Sequence, residues 1–197
     1  MKYERFAGWS GIAAGGGGFL YAVAFVIIAR VLSNFGNGLA AAMLVLVGLL
    51  VTALLTGLYG RLHEVDPGFA RWALLLGVVA ALGSAAHGGY DLANVVNPPA
   101  SNAIAGPNQV DPRGLLTFGV SGLSVLTWAW LVSSAGLPRG LAALGYLNAA
   151  LLLILYLARL VVLNANSPAV LLPAIVDGFV VNPLWYVGLG RALLREA

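Results

Sequence analysis

An all-α integral membrane bundle of six transmembrane helices is what this sequence predicts, and three observations lead there. Hydrophobic residues make up 60% of the 197 residues and charged residues only 9%. A water-soluble domain carries about 25% charged residues to coat its surface, so much of this surface is expected to meet lipid. Six apolar runs are each long enough for a bilayer crossing, which takes about 20 residues. Short polar connections separate most of them, so consecutive helices are expected to be antiparallel neighbours within a single domain, 1–197.

The runs fall near 8–32, 37–62, 68–96, 114–136, 139–162 and 167–194. The first is interrupted only by small residues, with Gly11 and Gly15 at GxxxG spacing inside GIAAGGGG. Glycine weakens a soluble helix, but in lipid it lets another helix approach closely. The expected uses are a tight internal contact, or docking of a partner membrane subunit or a second copy. The run extends from about Gly8 to Leu32, longer than the roughly 7–15 apolar residues of a cleaved signal peptide. SNFGNG (33–38) is expected to link helices one and two, and HEVDP (63–67) helices two and three. LPR (137–139) and NANSP (164–168) are similarly tight. The exception is the outer loop 97–113, rich in proline, asparagine and glycine and long enough to act as a lid.

Positive charge sets the expected orientation. With the N-terminus inside, Lys2, Arg5, Arg61, Arg71, Arg139, Arg191 and Arg195 lie on the cytoplasmic side and Arg30, Arg113 and Arg159 on the outer side. Seven against three favours cytoplasmic N- and C-termini. Trp9, Trp72, Trp128, Trp130 and Trp185 all fall in the inner half and are expected to form an interfacial belt. The formal charge of +3 is spread over helix ends without a basic cluster, which gives no footing for nucleic acid. The chain has no cysteine, so disulfides, thiolate metal sites and cysteine nucleophiles are excluded.

Chemistry concentrates in GSAAHGGYDLANVVNPP, residues 83–99, on the third helix. Ser84, His87, Asp91 and Asn94 are spaced three, four and three residues apart, so they share one helical face. An acid in hydrocarbon costs roughly 2.5–3.5 kcal/mol on insertion scales, so it asks for a purpose. Tyr156 and Arg159 share a face of the fifth helix, and Asp177 lies near the middle of the sixth, before Asn182-Pro183. A mid-helix proline frees backbone carbonyls that can face a cavity. These groups are expected to converge on an outward-facing polar pocket beneath the long loop. The alternative is structural: Asp91 paired with Arg159, and Asp177 with Arg30 or His87, as helix fasteners. VVNP recurs at 95–98 and 180–183, in the third helix of each half, which raises an inverted three-plus-three repeat.

Several specific chemistries can be weighed. No metal is expected, because zinc needs more than one histidine and His63 lies in a cytoplasmic connection. No cofactor is expected either, although His87, flanked by Ala85, Ala86, Gly88 and Gly89, is the one intramembrane residue that could serve a tetrapyrrole as axial ligand. A proton path through His87, Asp91 and Asp177 finds no continuation in the inner half. Ser84 lies one turn from His87, but no GxSxG elbow accompanies it.

The size, the six helices and the orientation resemble the substrate-binding subunits of energy-coupling-factor transporters. That resemblance implies an outward ligand pocket and docking through small residues of the first helix. RFAGWSGIAAGGGGFLYAVAF, the run RLHEVDPGFARWALLLGVVAALGSAAHGGYDLANVVNPP, and DPRGLLTFG are similar to a family of six-helix bacterial multi-pass membrane proteins built on a domain of unknown function. Nine arginines against one lysine fit a high-GC bacterium. That likeness implies a location in the bacterial plasma (inner) membrane and carries no mechanism with it. The expected role is a non-catalytic ligand-binding or accessory subunit. The alternatives are a membrane-embedded enzyme acting on a lipid or other amphiphile through His87, Asp91 and Asp177, or a single-histidine tetrapyrrole-binding subunit.

Overall fold

The structure, a computed structural model, describes residues 2–98, 112–162 and 167–195. Six helices carry it: α1 (Tyr3–Val31), α2 (Ser33–Leu62), α3 (Pro67–Val96), α4 (Leu115–Ser134), α5 (Arg139–Val161) and α6 (Pro168–Leu194). Each is long and apolar enough to cross a membrane, and no strand occurs among the described residues. Most of the expected loop 97–113, and residues 164–166 of NANSP, lie outside the described residues.

Local chemistry explains the helix ends. Asp66 caps α3 by accepting from the Phe69 amide at 2.9 Å, and Pro67 follows in the first turn, where a missing N–H costs nothing. Beyond α4, Gly136 takes φ = +71° and Pro138 precedes α5. The expected loop 33–38 is instead helix, because α1 and α2 reverse through Leu32 alone, at φ −126° and ψ 75°. Gly36 makes that reversal possible: a Cβ there would strike the main chain of Ile28 and Ala29. Small residues that read as a loop are what a reversal without a spacer requires.

Each helix packs on its sequence neighbours, and α6 closes the ring onto α1. Two of these contacts are backbone-close. A Cβ on Gly15 would lie 2.7 Å from the Pro183 carbonyl of α6, and one on Gly11 3.0 Å from Gly190 Cα. In the α2–α3 seam, Gly48 meets Ala81 and Ala85, and Gly88 meets Ala41 and Val45. The glycine stripe of α1 is thus filled by α6, within the chain, and Gly16 alone of the run Gly15–Gly18 faces open space.

The two halves of the ring differ. The buried apolar cluster includes Leu54, Leu58, Trp128, Leu131, Trp185 and Leu189, and it lies almost wholly in the half that carries the N-terminus. Trp128 and Trp185 are 1% exposed, so two of the five expected belt tryptophans belong to this core; Gly145 leaves room for the Trp185 ring. Trp9, Trp72 and Trp130 do lie on the surface. In the far half, three turns widen to π geometry: Ala24–Ile28 in α1, Leu115–Val120 in α4 and Asp177–Val181 in α6. Large apolar side chains are exposed on every helix, among them Phe6, Leu49, Leu75, Leu126, Leu157 and Leu172.

Candidate functional site

Polar side chains gather in the far half, framed by a two-rung ladder between α3 and α4. His87 Nδ1 lies 3.0 Å from Thr117 Oγ1, and Arg113 Nη1 donates to Asp91 Oδ1 at 3.2 Å. The helices run antiparallel, so a pair four residues apart on one matches a pair four apart on the other. His87 Nε2, 3.3 Å from Asp91 Oδ2, ties the rungs together, and the Arg113 guanidinium covers the Tyr90 ring at 4.3 Å.

A neutral His87 can donate from Nε2 to Asp91 while its Nδ1 accepts from the Thr117 hydroxyl; a protonated ring donates on both sides. Both ring nitrogens are therefore engaged, and a tetrapyrrole iron or magnesium at His87 would have to displace one partner. Helices also fill much of the space around this histidine. Gly88 and Ala85 pack on α2, and a Cβ on Gly83 would overlap Leu116 of α4, although Gly89 faces open space.

The other candidates divide. Ser84 turns back to its own helix, donating to the Ala80 carbonyl at 3.0 Å, and half-buried Asn94 joins no rung. On α5, Tyr156 packs against Gly119 in the π turn of α4, and the Arg159 guanidinium lies 5.6 Å from the Phe118 ring. Asp91 thus pairs with Arg113, not with Arg159. Tyr21 of α1 lies within electrostatic reach of both Arg159 and Asp91, although α1 packs side by side with neither α3 nor α5.

Asp177 opens the π turn of α6; it is 5% exposed, and its Oδ1 has no hydrogen-bond partner. Neither Arg30 nor His87 pairs with it. Asn182 faces Gly18 of α1, and Asn148 of α5 is fully buried with both amide atoms unpartnered. Among the described residues no three His, Cys, Asp or Glu side chains gather where they could hold a metal. At the opposite end, Glu4, Arg61, Glu64, Ala135 and Leu137 border a concavity of about 510 Å³ that sequence patterns did not suggest.

Thr117, Arg113, Tyr21 and Tyr90 are site residues that sequence reasoning missed. A signal for two of them exists: Arg113 and Thr117 repeat the four-residue spacing of His87 and Asp91 at the facing end of the next helix. No protein family, curated protein or solved structure matches the chain.

Proposed function

We propose that this chain is a multi-pass protein of a bacterial plasma membrane, with both termini cytoplasmic, that binds a small ligand in a polar cup open to the outside. It acts as a non-catalytic binding or accessory subunit. The observation that carries this reading is the segregation of the ring into an apolar half and a polar half. Large apolar side chains exposed on all six helices would drive aggregation in water, whereas lipid covers them. The excess of arginine at the terminal end favours that end inside. Leu54, Leu58, Trp128 and Trp185 then plug the cytoplasmic half. Tyr21, His87, Asp91, Tyr156, Arg159 and Asp177 line the outer half with groups that can orient a ligand. Because α6 fills the glycine stripe of α1, a partner subunit would meet another surface.

The chain contains no cysteine, so single cysteines test the cup directly. A membrane-impermeant maleimide added to intact cells should label Tyr156→Cys and Asn94→Cys but not Glu64→Cys, exposed at the opposite end. Silence at both outer positions, with Glu64→Cys reactive, would reverse the assignment. Mass spectrometry of protein purified in mild detergent would then identify what the cup carries.

One observation favours a second reading. Asp91, His87 and Thr117 form a carboxylate–imidazole–hydroxyl chain, an arrangement that activates a hydroxyl nucleophile. In such an enzyme Thr117 Oγ1 would attack an ester carbonyl while His87 Nδ1 took its proton and Asp91 steadied the imidazolium. Asp177 stands apart from this chain. A fluorophosphonate probe that labels the wild type but not Thr117→Val would support a hydrolase. Absence of labelling in folded protein would leave the ladder a helix fastener.

A further inference from the structure

Asp177 is the only charged side chain that is buried among the described residues. It lies about 13–14 Å along α6 from its far end, at 1.5 Å per residue, near the centre of the expected bilayer. Its Oδ1 is unpartnered, and no described cation forms an ion pair with it. A buried carboxylate is tolerated when it is paired or coordinates an ion. The neighbouring backbone is rich in acceptors. The Asn182 amide reaches back five residues to the Asp177 carbonyl, and Pro183, next in line, has no amide hydrogen. One carbonyl at Gly178 or Phe179 therefore loses its donor. Tyr186 places a phenol within electrostatic reach of the carboxylate.

A buried carboxylate on an interrupted helix, with a carbonyl freed one or two residues on, offers oxygen ligands to a cation. Calcium takes 6–8 oxygens, usually from several carboxylates, and among the described residues no three His, Cys, Asp or Glu side chains gather to supply them. We propose that Asp177 and the π turn behind it hold a small monovalent cation, either a sodium ion or a primary ammonium group. The site goes beyond the cup reading and does not require the cup to open outward.

The test is thermal unfolding of the purified full chain in detergent, at fixed pH and ionic strength, in sodium, methylammonium or choline chloride. The midpoint should be higher in sodium or methylammonium than in choline, whose methylated head is bulkier and donates no hydrogen bond, and the gain should saturate. Sodium alone would identify an inorganic ion; methylammonium alone, an ammonium group. The gain should vanish in Asp177→Asn and persist in Glu64→Gln, an exposed carboxylate at the opposite end. If Asp177→Asn does not fold, Pro183→Ala, which restores the amide donor, should weaken the gain. Equal midpoints in all three salts, or a gain that survives Asp177→Asn, would overturn the proposal. So would a midpoint that responds to acidification but to neither cation, because a proton would then neutralise the carboxylate. Cysteine labelling is read separately: its failure would remove the outward cup and leave the ion site standing.

Discussion

Replacing Gly15 by alanine should unseat α1 from α6, whereas the same change at Gly16 should not. A Cβ at position 15 would lie 2.7 Å from the Pro183 carbonyl and 2.7 Å from Val187 Cγ2, where ordinary contact begins near 3.4 Å. The carbonyl belongs to a helix backbone and cannot rotate away, and valine in a helix is held to one main rotamer. The helices must therefore part by several tenths of an ångström along a seam that also holds Gly11 and Gly190. Overpacking of this kind costs about 1–3 kcal/mol. Alanine recovers about 0.5–1 kcal/mol of helical backbone entropy, which leaves a net loss of about 0.5–2 kcal/mol. Gly16 has nothing within 4 Å of its Cβ position, so only the favourable helix contribution applies there. Unfolding in mixed micelles of rising SDS content, followed by tryptophan fluorescence, reads both variants through buried Trp128 and Trp185. Gly15→Ala should unfold at lower SDS than wild type, and Gly16→Ala at the same or higher. Equal shifts for the two would refute the close α1–α6 approach.

Three further outcomes follow from local contacts. Asp66→Ala removes the cap on the Phe69 amide and should cost about 1 kcal/mol in the same assay; Asp66→Ser should recover most of it. Asp91→Asn loosens the contacts to Arg113 and His87, but the Asp91 side chain is 44% exposed. Its loss should therefore stay below about 1 kcal/mol and shrink further as salt is raised. Gly36→Val should block the one-residue reversal between α1 and α2, and its measure is the yield of monodisperse protein in size-exclusion chromatography. A normal yield would mean that the turn tolerates a spacer.

Periodicity and charge made the helices legible, and four of the five connections fell where polar or proline residues stood. The α1–α2 reversal was not legible, since SNFGNG has loop composition and only the approach of Gly36 to Ala29 shows why it stays helical. Small residues posed the same difficulty at larger scale. GIAAGGGG announced a close contact but not its partner, and nothing in the chain names α6 rather than another protein. The face of His87 and Asp91 was readable because helical spacing is local. Their partners, Thr117 and Arg113, come from α4 and the helical turn Pro112–Gly114 that leads into it. That pairing depends on the register of two antiparallel helices, which hydropathy leaves free.

The uneven core also decides which part of the ring should open most easily. Local opening is cheapest where few apolar groups are buried and helical hydrogen bonds are missing. In the first nine residues of α6, Pro168–Val176, only Val170 is buried, and Pro173 removes an amide donor within the helix. The π turn Asp177–Val181 and Pro183 follow at once, a place where helices bend. Beyond them, Trp185, Leu189 and Leu193 anchor the helix in the core. The far segment of α6 is thus joined to its anchored segment through a weak turn that packs on α5. Hydrogen exchange of the purified protein should be faster over 168–181 than over 184–194, by more than the differences within either segment. A ligand held in the cup should slow the first segment selectively. Equal protection along the whole of α6 would show that the polar half is as firmly packed as the apolar one.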